Sequence, residues 1–120
     1  MTTKETFEFK APKSVRFEDW AQMNNLRLVF WNRDKTFKKT GQYFYCYLID
    51  VGGYCLDEWP GLIFASFSGD GNTYLQALRD YAKRISEKSL CSGFCAAEAR
   101  YYTVPKLLVD GKTLKNAGIQ

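Results

Sequence analysis

Ser68-Gly69-Asp70-Gly71-Asn72-Thr73-Tyr74-Leu75-Gln76 is the stretch on which the fold turns. Two glycines around Asp70 predict a turn. Thr73 and Gln76 then form a capping box, in which the threonine hydroxyl accepts from the amide three residues on and the glutamine reaches back. Beyond the box, Leu75, Leu78, Ala82 and Ile85 recur at helical spacing, while Arg79, Lys83 and Lys88 are left to face water. The pattern predicts a helix from the box to about Glu87. Its apolar stripe needs a sheet to cover.

Working upstream, Leu62 to Ser68 reads as a strand apolar on both faces at its start, as a central or covered strand is. Gln42 to Val51 alternates Tyr43, Tyr45 and Tyr47 against Phe44, Cys46 and Leu48. Leu26 to Arg33 likewise sets Arg27, Val29, Trp31 and Arg33 against Leu26, Leu28 and Phe30. A lysine-rich loop closed by Gly41 joins these two strands, and Gly52-Gly53 with Asp57-Glu58-Trp59-Pro60 makes the next connection. Earlier, Ser14 precedes a helix over Val15–Met23, with Phe17, Trp20 and Ala21 as its stripe, Glu18 and Asp19 in its first turns and Asn24-Asn25 at its end. Phe7 to Lys10 predicts a short strand that Pro12 stops.

Downstream, Leu90 to Ala99 has no clear period, and Arg100 to Val104 is a strand that Pro105 confines to an edge or a strand end. The tail from about 109 to 120, with Gly111 and Gly118, is expected to fray. The expected fold is a single α+β domain over 1–120, a two-layer sandwich. In it, an antiparallel sheet of at least three strands carries two helices on one face, in the order helix-strand-strand-strand-helix, with extra edge strands at the flanks.

Composition narrows the function. The 120 residues are 17% aromatic and 25% charged, which excludes a disordered chain because the large apolar groups that repay ordering are present. No apolar run approaches the ~18 residues of a membrane helix and the N-terminus has no apolar signal segment, so a soluble, cytoplasmic protein is expected, with no membrane partner. There is no histidine, which removes the commonest general base and metal ligand. The net charge of +4 gathers in two places: Arg33, Lys35, Lys38 and Lys39 against Asp34, and Arg100, Lys106, Lys112 and Lys115 against Asp110.

Catalysis finds little support. Glu18/Asp19 and Asp57/Glu58 are adjacent in sequence and so point apart on a helix or strand. The 68–73 loop opens a helix but lacks the lysine of a phosphate-cradling loop. Of the four cysteines, Cys46 and Cys55 are separated by eight residues and Cys91 and Cys95 by three, so only the second pair has zinc-ligand spacing. Reduced cysteines acting as small hydrophobes are expected, with no metal, no cofactor and no enzymatic activity.

Binding is better served. Period-two spacing puts Tyr43, Tyr45 and Tyr47 on one strand face, and Arg27, Trp31 and Arg33 on one face of the neighbouring strand. If the faces coincide, they form a partner-binding surface of the hot-spot type, with Lys35, Lys38 and Lys39 steering an acidic partner. The same residues would serve a nucleic acid by stacking, or a homodimer.

The motifs Phe17-Glu18-Asp19-Trp20-Ala21, Gly69-Asp70-Gly71-Asn72-Thr73, Asp80-Tyr81-Ala82 and Val104-Pro105-Lys106-Leu107 occur in this order across about residues 14–108. In size, composition and motif order the chain resembles small uncharacterised accessory proteins of tailed bacteriophages and prophages. That resemblance implies a phage accessory product acting on a host protein or complex, such as an antiviral defence system, and it assigns no reaction and no functional residue. The element order is also similar to a double-stranded RNA-binding domain, yet the first turn of the second helix, Thr73 to Gln76, lacks that module's phosphate-binding lysines. It is similar in part to HicB-type antitoxins, but residues 106–120 are too few for their helix-turn-helix.

Overall fold

The computed structural model describes residues 14–59, 68–93 and 99–116. In chain order these form β1 (Ser14–Arg16), α1 (Phe17–Met23), β2 (Arg27–Asn32), a 3-10 helix (Lys35–Thr40), β3 (Phe44–Ile49), β4 (Leu56–Glu58), β5 (Gly69–Gly71), α2 (Tyr74–Ile85), β6 (Ser89–Ser92), β7 (Arg100–Thr103), β8 (Lys106–Leu108) and α3 (Thr113–Asn116). The architecture is mixed α/β with antiparallel sheets. β2-β3-β5 and β4-β6-β7 are antiparallel, and β1 pairs with β8 in parallel. The strand expected at Phe7–Lys10, nearly all of that expected at Leu62–Ser68, and Cys95 lie outside the described residues.

The threonine half of the capping box forms as the sequence implies, while the glutamine reaches one residue further back than the cap. The Thr73 hydroxyl accepts from the Gln76 amide at 3.1 Å, and Gln76 Oε1 accepts from the Asn72 amide at 2.9 Å. The preceding glycines correct the expected turn, because Gly69–Gly71 is β5, paired with Phe44–Cys46 of β3. α2 lies directly on this strand. A Cβ on Gly69 would overlap the Ala77 carbonyl oxygen and the Tyr81 amide, and one on Gly71 would meet the Ala77 amide at 2.5 Å. Both glycines therefore serve close approach of helix to strand.

Under α2 the core gathers Cys46 and Leu48 from β3, Phe17 and Trp20 from α1, and Leu78, Tyr81 and Ile85 from α2 itself. The Leu48 amide of β3 is buried beneath α2. The buried Tyr81 hydroxyl accepts it at 3.0 Å, which answers the need of a buried N–H for a partner.

Helix α1 starts later than expected. Ser14–Arg16 is drawn into β1, and Arg16, with no side-chain cap, stands at the helix N-terminus. Asn25 ends it in the left-handed region at φ 57°. α2 likewise stops at Ile85, two residues short of Glu87, which itself sits at φ 62°. The tail expected to fray holds α3, where buried Thr113 donates its amide to the Asp110 carbonyl at 3.1 Å.

Candidate functional site

β2 and β3 align so that their outward residues coincide. Val29 lies opposite Tyr47, Trp31 opposite Tyr45, and the Arg33 amide donates to the Tyr43 carbonyl at 2.7 Å. β5 adds Asp70 opposite Tyr45. The inward residues Cys46 and Leu48 are fully buried beneath α2, whereas Trp31 is 54% exposed and the three tyrosines are half-buried. The phenol rings therefore reach solvent.

The exposed face is internally organised. Trp31 Nε1 donates to the Tyr47 hydroxyl at 2.8 Å, and the Tyr45 and Tyr47 rings stack at 6.3 Å. Arg33 lies over the Tyr45 ring at 4.3 Å and over the Phe37 ring at 5.8 Å. Crossing β3, its Nη1 reaches Asp70 Oδ1 at 2.7 Å and also donates to the Gln42 carbonyl at 2.8 Å. Asp70 is in turn tied to α2, because its amide donates to Asp80 Oδ2 at 2.9 Å and Arg84 pairs with Asp80 at 2.9 Å. Arg33 is thus fixed in place over Tyr45, a cation–π arrangement that stiffens both groups.

The basic segment is held against the same face. The Asp34 side chain caps the 3-10 helix by accepting from the Thr36 amide at 3.0 Å, and Gly41 closes it at φ 74°, where a side chain would be strained. Asn72 fastens the segment to the strand, since its Nδ2 donates to the Lys38 carbonyl at 2.8 Å and its Oδ1 accepts from the Tyr43 amide at 3.3 Å. Lys38 then sits over the Tyr43 ring at 4.7 Å, while Lys35 and Lys39 are exposed beside it.

Eight of the nine expected residues are on or beside this surface. Arg27 is apart, opposite Ile49 at the far end of β2, where it lines a groove with Phe17 and Ala21 of α1. Sequence reasoning passed over Asp70, Asn72 and Phe37. The period-two position of Asp70 between two glycines was the available signal, had that stretch been read as a strand.

Among the described residues, the cysteines are not grouped into a second site. Cys46 and Cys91 are buried and Cys55 partly so, all three free, and no three Cys, Asp or Glu side chains among the described residues are grouped to hold a metal. Burial pushes the Cys46 thiol up to about 12, and burial likewise raises Cys55 and Cys91, so none of them is an activated nucleophile. No helix of the described residues is long and apolar enough to cross a membrane.

No family model, curated protein or solved structure matches the chain.

Proposed function

We propose that the chain is a non-enzymatic binding module that docks a host protein or complex on the Trp31/Tyr45/Tyr47 face, with Lys35, Lys38 and Lys39 drawing in an acidic partner. In this reading the domain works as a two-layer α+β sandwich, one face of its antiparallel sheet covered by helices and the other given to recognition. The observation that carries it is an exposed tryptophan, pinned by a tyrosine hydroxyl, beside a row of rings already ordered before any partner arrives. Ordered aromatic anchors lose little side-chain entropy on binding.

A protein partner is favoured over nucleic acid because the ring faces are partly taken. Arg33 covers Tyr45, Lys38 covers Tyr43, and Tyr45 and Tyr47 stack on each other. Bases need open ring faces. The resemblance to phage and prophage proteins points to a partner in the cytoplasm of the bacterial host, with inhibition of an antiviral defence system as the effect.

The test is affinity purification of the tagged chain from its bacterial host beside a Trp31→Ala, Tyr45→Ala chain. Truncating two anchors of about 2 kcal/mol each should weaken retention of a specific partner by well over tenfold. A partner retained unchanged by the double variant refutes the face. Capture of single-stranded oligonucleotides that collapses between low and moderate salt would assign the face to nucleic acid instead.

A further inference from the structure

An open groove of about 440 Å3 runs between α2 and β8, away from the aromatic face. Arg79 and Lys83 stand one helical turn apart on its helix side. The Ser86 hydroxyl accepts from the Leu107 amide at 3.0 Å, fastening the end of α2 to β8 and bringing Lys106 to the other wall. Ala82, Leu107 and Val109 supply the apolar part of the lining.

Several other basic residues of the described surface are tied up in ion pairs. Arg16, Arg33, Arg84 and Lys88 each pair with a carboxylate. Among the described residues, Arg79, Lys83 and Lys106 have no such partner, although all three are exposed and line one depression. The lining contains a single acid, Glu87, two residues past the end of α2. From Arg79 to Ile85, the last residue of α2, the helix rises about 9 Å, the length of about three residues of extended peptide.

We propose that this groove binds an acidic peptide segment of a partner protein, its carboxylates meeting Arg79, Lys83 and Lys106 and an aliphatic side chain meeting Ala82, Leu107 and Val109. The lining offers no aromatic ring for a base to stack on. Charge complementarity with a short apolar seat matches acidic-motif recognition by clustered cations. This site is independent of the aromatic face and stands or falls without it.

The full chain is titrated with a fluorescent peptide of sequence Glu-Leu-Glu-Leu-Glu, followed by polarisation and by backbone amide shifts. The expected result is saturable binding that shifts amides of 79–87 and 106–109 and leaves those of Trp31 and Tyr45 in place. The exposed double variant Arg79→Glu, Lys83→Glu should bind at least about tenfold more weakly while melting as the parent does. A Lys-Leu-Lys-Leu-Lys peptide should not bind. The proposal is overturned by unshifted groove amides, by an affinity indifferent to the charge reversal, or by oligothymidylate occupying the groove as tightly as the peptide. Loss of peptide binding in the Trp31→Ala, Tyr45→Ala chain would move the peptide to the aromatic face and also overturn it.

Discussion

Asp50, just past the end of β3, is a buried carboxylate that holds a turn and a second sheet at once. Its Oδ1 accepts from the Gly52 amide at 2.8 Å and the Tyr54 amide at 3.0 Å, and its Oδ2 accepts from the Ser92 hydroxyl of β6 at 2.7 Å. Burial on its own would raise the carboxyl. The Tyr54, Ser92 and Gly52 hydrogen bonds and the charge of Arg100 outweigh it and hold the group below the ordinary carboxylate value. A folded-state value below the unfolded one means the stabilisation is present above the unfolded value of about 3.9 and is lost as pH falls through the folded one. Asp50→Asn should therefore cost about 1.5–3 kcal/mol at neutral pH, the range for hydrogen bonds to a charged group. Thermal melts from pH 7 to pH 3 should show the gap between the two chains narrowing below about pH 4.

At the scale of elements, the contact of α2 with β5 is set by glycines instead of by matched side chains. Gly69→Ala should lower stability by roughly 3 kcal/mol or more, as overpacking against backbone does, because the Ala77 carbonyl and the Tyr81 amide belong to a helix that must move as a whole. Urea unfolding checks this, and an unchanged midpoint would mean that α2 shifts freely. The same stretch shows what the sequence made legible. The capping box announces itself through local chemistry, and the β2/β3 faces follow from strict alternation. A strand of three residues, two of them glycines, has no period to read, and its identity is decided by a helix lying upon it. Ser14–Arg16 is lost to α1 for a similar reason, since its strand character comes from β8, some ninety residues away. Within the candidate site, the aromatic residues were visible and the Asp70 and Asn72 supports were not, because they act across the chain.

For the whole molecule, Arg16 joins the front of the chain to its back. Its Nη2 meets Glu18 Oε2 at 2.9 Å and its Nη1 meets Asp110 Oδ2 at 2.8 Å, beside the paired β1 and β8. The Arg16 hydrogen bond, then that from the Lys112 amide, lowers the Asp110 carboxyl, so this link also weakens as pH falls through the Asp110 value. Arg16→Ala should make the amides of 106–113 exchange several-fold faster while those of β2 and β3 keep their protection, because the clamp is local to one closure of the fold. Equal acceleration in both regions would show that the clamp supports the entire molecule.

The parallel register of β1 with β8 sets Ser14 against Lys106. During synthesis the first of these strands leaves the ribosome 92 positions (106 − 14) ahead of its mate. At about 5–20 residues per second it waits roughly 5–18 s for translation to catch up. Until the ribosome delivers that mate, the nascent β1 edge is open to other pairings.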